Sequence, residues 1–299
     1  MRFDRNNWQC FALLAAFFNA LIGVFSKNIF SLGMLPSHVA FFKCLLAFLL
    51  ITLIHIFDKN GLQKIIQHAK AWWKIAICAF FGIFVLCFFE TIAYSYSMVS
   101  TVVFLLLGAS SITTFLMSYF FLNERITFIN LFSFLLCVIG LFYIFNEKSV
   151  QLASFGSVLA MIAGIGYGLF LSFTKKLDVS TNGLAFLWWF IGFGMFYLSV
   201  PFILNHPSFP PLSSLPTLLL LSIVPTIGGY FCVARALAFG DASKVQIFAL
   251  TEPLFASLMG FVCFGELLKG TQLFGAVLIL LSIYLAIQYS FSNSMLEKN

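Results

Sequence analysis

The chain has 299 residues, of which 62% are hydrophobic and 9% charged, with a mean hydropathy of +1.04. Soluble domains are about half apolar and a quarter charged, so this composition excludes a soluble fold and makes the bilayer the solvent. The net charge of +6 does not point to nucleic acid, because the basic residues decorate connecting loops and form no binding stripe.

Hydrocarbon about 30 Å thick is crossed by about 20 apolar residues in a helix. Runs of that length fall at 8–28, 38–57, 72–94, 99–121, 128–146, 155–174, 183–204, 215–238, 244–264 and 271–291. The fold predicted is an all-α polytopic membrane protein with ten transmembrane helices. A membrane barrel is excluded because each run is continuously apolar and does not alternate with a period of two. The opening MRFDRNNW is basic, but the apolar run behind it is too long for a signal peptide, so it reads as the first span.

Helix 2 carries Lys43 inside FFKCLLAFLL, five residues from its start and so ~7 to 8 Å deep at the helical rise. A lysine can snorkel from there. Next, LQKIIQHAKAWW at 62–73 places Leu62, Ile65, Ile66 and Ala69 on one face and is expected to lie on the interface. Helix 3 carries Glu90 at a depth similar to that of Lys43. Helices joined by a short loop are usually neighbours, so the two charges are candidates for an ion pair: a gate, or a site for the opposite charges of a zwitterionic solute.

Helix 4 contains Ser110 and Ser111, and Glu124 follows it just before the next helix, where a negative charge is favourable. Trp188 in helix 7 is a candidate cavity wall. The segment NHPSFPPLSSLP at 205–216 reads as an irregular outer loop. Helix 8 contains Pro225 with Gly228 and Gly229, a kink or hinge. Helix 9 contains Glu252 near its middle, too short to snorkel, and Pro253 beside it, which leaves the carbonyl of Ala249 without its usual donor.

The chain repeats itself. Residues 100–125 align without gaps to 242–267, pairing Val103 with Val245, Leu116 with Leu258, Met117 with Met259 and Glu124 with Glu266. Ala12, Ala16 and Ala20 likewise match Ala160, Gly164 and Gly168, small residues that let helices approach closely in lipid. Each half, 1–150 and 151–299, contains five spans. An odd number inverts the second half relative to the first, an architecture common among secondary transporters, whose site lies between the halves. Of the 16 lysines and arginines, twelve fall on the side of the termini and three opposite, with Lys43 inside. This predicts that both termini are cytoplasmic.

With its ten spans in two halves, LTEPLFASLMGFVCFGELLKGTQLFGAVLIL at 250–280 and YFFLNERITFINLFSFLL at 119–136, the chain resembles the drug/metabolite transporter superfamily, in its EamA-type branch. Glu252-Pro253, Glu266, Gly275, Glu124 and Lys43 carry the resemblance. The proline usual in the fourth helix is absent, and Ser110-Ser111 stand in its place. The resemblance implies a transporter of small organic solutes, such as an amino acid, in the cell (inner) membrane.

The residues expected to bind solute or couple its movement are Glu252, Lys43, Glu90, Ser110, Ser111 and Trp188, with Pro253 and Pro225 as hinges. Protons or a counter-substrate are the expected coupling partners; an uncoupled channel, exchanger or sensor is the alternative reading. The seven cysteines show no ligand spacing, and no His-Glu-x-x-His or phosphate-binding glycine loop occurs. No metal, cofactor or nucleic acid is expected, and an enzyme reading is a distant third.

Overall fold

The computed structural model describes residues 7–124, 127–145, 154–179, 183–256 and 270–296. These residues form helices and connections, without strands. In chain order the helices are α1 (Trp8–Asn19), α2 (Ile22–Ser31), α3 (Pro36–Phe57), α4 (Gly61–His68), α5 (Trp72–Ala79), α6 (Phe89–Tyr96), α7 (Val99–Phe120), α8 (Phe128–Phe145), α9 (Phe155–Leu177), α10 (Gly183–Leu204), α11 (Leu215–Leu221), α12 (Tyr230–Phe239), α13 (Ala242–Ala249) and α14 (Gly270–Leu296). Seven helical stretches among the described residues are long and apolar enough to span a membrane. The expected ninth span is described only as far as residue 256.

Local chemistry accounts for several boundaries. Pro36 stands in the first turn of α3, where its missing N–H costs nothing. Ser154 caps α9 by accepting the amide of Ser157, and Asp178 ends that helix in the left-handed region at φ 49°. Asp58 closes the α3–α4 turn, bonding the Asn60 amide and pairing with Lys64 at 2.6 Å. These contacts hold its carboxyl below the usual carboxylate range.

The stretch expected to lie on the interface is α4 with a short 3₁₀ turn, Ala69–Ala71, leading into α5. Leu62 and Ile66 face outward, while Ile65 is buried and its carbonyl accepts the indole N–H of Trp189.

Two spans are wound more loosely than an α-helix. Phe80–Phe88, between α5 and α6, and Ser222–Gly229, between α11 and α12, are π-helical. They begin 142 positions apart, the offset at which residues 100–125 match 242–267. The first is accommodated by missing side chains: a Cβ on Gly166 of α9 would lie 2.7 Å from Val85, and one on Gly194 of α10 would lie 2.4 Å from Ile83.

Packing is closest where small residues meet backbone. A Cβ on Gly164 would come 2.2 Å from the Leu106 carbonyl oxygen, so the stripe Ala160, Gly164 and Gly168 on α9 seats directly on α7. Gly140 of α8 meets the Gly275 carbonyl of α14 in the same way, at 2.8 Å. α8 pairs with α14 and α3 with α10, while α9 contacts α7, α12 and α13, and α1 contacts α12 and α13.

Candidate functional site

Four helix interruptions meet around one cavity. The first span breaks at residues 20–21, between α1 and α2. The third and eighth spans contribute their π-helical segments, and the ninth breaks at residues 250–251, after α13 and just before Glu252 and Pro253. The cavity between them is lined by Asn19, Ile22, Lys43, Leu86, Cys87, Glu90, Leu106, Tyr167, Pro225, Thr226, Gly229, Tyr230, Val233 and Glu252. The cavity is small, with room for a few waters.

Three of the interruptions carry hydrogen bonds beyond those of a regular helix. In the first π-helical segment the Gly82 carbonyl accepts the Tyr230 hydroxyl from α12. Tyr230 also contacts Cys87 Sγ at 3.0 Å. Thr226 turns its hydroxyl back to the Leu221 carbonyl at 2.8 Å. In the ninth span Thr251 bonds the Phe248 carbonyl at 2.7 Å, and the chain restarts as helix over 252–256. Wide helical turns of this kind recur at functional sites.

The three ionisable residues anomalous in the sequence share this cavity. Lys43, Glu90 and Glu252 are only 2%, 5% and 7% exposed. Glu90 accepts the Tyr94 hydroxyl at 3.2 Å. Lys43 lies beside Cys87 and within electrostatic reach of Glu90, as Glu90 is of Glu252. Lys43 and Glu90 nevertheless do not come within the 4.0 Å of a direct ion pair. The pairs formed among the described residues are Lys64–Asp58 and Lys244–Asp241, at the ends of helices. The cavity thus brings together one basic and two acidic side chains, none in a direct ion pair among the described residues.

Other sequence candidates fall elsewhere. Ser110 and Ser111 are buried in α7 and accept the two N–H groups of the Gln246 amide, at 2.8 and 3.0 Å. That joins α7 to α13, and neither serine lines the cavity. Trp188 bonds the Thr52 hydroxyl at 2.9 Å and lines a separate lateral groove with Phe48, Trp72, Trp189 and Phe193.

Pro225 is buried within the second π-helical segment and lines the cavity; Pro253 is buried directly after the break in the ninth span. Glu124 accepts the Ala242 and Ser243 amides and the Ser243 hydroxyl at the start of α13. Glu266, its counterpart in the sequence repeat, lies outside the described residues.

Sequence reasoning missed Asn19, Thr226 and Tyr230. A signal for two of them was present: Thr226 and Tyr230 adjoin Pro225 and Gly229 in the cluster already singled out.

Known proteins give a consistent result. The chain matches the EamA-like transporter family over residues 6–146 and 154–288. It is 27% identical over 165 residues to an uncharacterized transporter of Archaeoglobus fulgidus, covering 55% of this chain and 59% of that protein. It is 24% identical over 216 residues to an uncharacterized transporter of Clostridium kluyveri, covering 69% of each. A solved crystal structure shares its fold, with a TM-score of 0.77 at 14% identity over 94% of this chain and 98% of the other. Both halves of the chain are matched, and it belongs to the EamA-like transporter family.

Proposed function

We propose that the protein is a secondary transporter that moves a small organic solute carrying both acidic and basic groups, such as an amino acid, by alternating access. The observation that carries this reading is the cavity itself, in which Lys43, Glu90 and Glu252 meet at helix interruptions contributed by both halves. Lys43 takes an anionic group of the solute and Glu90 a cationic one. Glu252 contacts the solute or carries the coupling proton, and Pro225 and Pro253 serve as hinges where the backbone is already irregular.

Ten helices in two inverted five-helix halves, 1–150 and 151–299, are the architecture that fits this mechanism. The 142-residue offset common to the π-helical segments and the matched sequence supports it. So does a mirrored pattern of neighbours: α9 packs on the first π-helical segment and α7, while α1 packs on the second and α13. A void with so little free space favours alternating access over an open channel.

The test begins with metabolites inside and outside cells that express the native chain, Lys43→Gln or Glu252→Gln. Solutes that redistribute are then titrated against purified protein by thermal unfolding, since a ligand bound to the folded state alone raises Tm. The expected outcome is a zwitterionic solute that stabilises the native protein and fails to stabilise Lys43→Gln. Equal redistribution and equal stabilisation in all three proteins would overturn the site.

A further inference from the structure

At the face where the chain starts, the two halves are clamped by a charge. Trp8 packs against Gly240, so the start of α1 and the start of α13 lie at one end of the molecule. There Glu124, just beyond α7, accepts Ala242 N–H at 2.7 Å, Ser243 N–H at 3.2 Å and Ser243 O–H at 2.6 Å. A carboxylate on the first amides of a helix is a strong, charge-assisted contact. Lys176 of α9 adds a second bar by donating to the Phe121 carbonyl at 2.8 Å. At the opposite end the hydrogen bonds between the halves among the described residues involve no carboxylate or lysine and run from 3.2 to 3.3 Å, as between Ser97 and Ser154 and between Thr217 and Asn28.

Behind the clamp lies a seam of polar groups that this conformation does not use. Of the seven buried side-chain oxygens without a hydrogen-bond partner among the described residues, five are Thr114 and Ser118 on α7, Asn130 and Ser133 on α8, and Gln246 on α13. Each of these residues is at least nine-tenths buried. The Phe115 and Phe134 rings, 4.4 Å apart, mark where α7 and α8 face each other. Successive helical residues turn by about 100° and the two helices are antiparallel, so Thr114, Ser118, Asn130 and Ser133 fall on one side of that contact. Ser111 falls there as well, and it receives the Gln246 amide. Because Gln246 spends both N–H groups on Ser110 and Ser111, its oxygen is turned away from them.

A buried oxygen without a partner raises the energy of the state that buries it, and water relieves that cost. We propose that the seam of α7, α8 and α13 is the solute's path to the N-terminal face, collapsed in this conformation, and that Glu124 is the residue that clamps it shut. This rests on the transporter reading above and adds its second opening. Releasing the carboxylate from α13 lets the two halves part at this end, and the five oxygens then become the hydrated wall of the path.

The test uses the full-length chain in membrane vesicles with Ser118→Cys or Ser133→Cys. Modification at that position by a membrane-impermeant trimethylammonium thiosulfonate is followed by peptide mass spectrometry. Adding Glu124→Gln should speed modification from the N-terminal face by at least about tenfold, the response to removing ~1.4 kcal/mol of closing energy. Ser243→Ala removes one of the three clamp bonds; it should give a smaller increase and serves if Glu124→Gln does not fold. Ile139→Cys on the outer surface of α8 should not respond.

Unchanged rates at 118 and 133 would overturn the clamp. If Lys43→Gln still abolished solute movement in that case, the transporter site would stand without it. A clamp that responds while Lys43→Gln moves solute normally would place the failure in the cavity assignment instead.

Discussion

Lys43 is a cation held among apolar helices without an ion pair, and such a group destabilises the fold that holds it. Glu90 and Glu252 face the same cost, and their concentration in one cavity means that the cost is local and tied to the site. Replacing Lys43 by methionine, which has similar reach and no charge, should leave Tm in detergent unchanged or raise it while abolishing stabilisation by solute. A Tm lowered by many degrees would mean instead that Lys43 holds the fold together.

These three residues were legible in the sequence because a charge inside an apolar run has few bland explanations. Asn19 was not, since isolated polar residues are ordinary in membrane helices, and Thr226 and Tyr230 were marked only by their place beside Pro225 and Gly229. Ser110 and Ser111 were found by their register opposite Glu252-Pro253. Register places a residue along a helix, but Gln246, 135 positions beyond Ser111, determines where those hydroxyls are engaged.

At the scale of elements, the span positions follow from hydropathy, whereas the irregularities that shape the cavity do not. A π-helical segment closes each hydrogen bond over one more residue than an α-helix, and FFGIFVLCF contains no residue that demands the wider form. It is stabilised from outside: Gly166 and Gly194 leave room for it, and Tyr230 takes the Gly82 carbonyl.

Glycines divide accordingly into those that permit contact and those that do not. Gly164→Ala puts a methyl group 2.2 Å from the Leu106 oxygen and must separate α9 from α7. It should lower stability by about 1 to 3 kcal/mol, the usual range for overpacking. Gly108, in the same α7, has open space where a methyl group would go, with nothing within 4 Å, so Gly108→Ala should be neutral or stabilise by about 0.5 to 1 kcal/mol through helix propensity. Thermal unfolding of the two variants side by side checks both, and equal effects would contradict the packing described.

For the whole molecule, the proposed arrangement of ten spans in inverted halves predicts that both termini lie on the side where most lysines and arginines fall. A fluorescent protein fused after residue 296 should fluoresce in a bacterial host, and alkaline phosphatase fused at the same point should be inactive. Phosphatase inserted in the 205–211 loop should be active. The reverse pattern would invert the orientation and, with it, the side to which the Glu124 clamp opens.

The sequence by itself determined the solvent, the all-helical class, the positions of the apolar runs and the identity of the anomalous charges. All of these depend on composition and spacing along the chain, and the free energy of placing a residue in hydrocarbon acts one residue at a time. Only the tertiary structure decided that Lys43, Glu90 and Glu252 share a cavity, that two spans unwind beside it, and that Glu124 reaches α13. Those features depend on hydrogen bonds and close packing between segments far apart in the chain, where no local pattern records which side chain will meet which backbone.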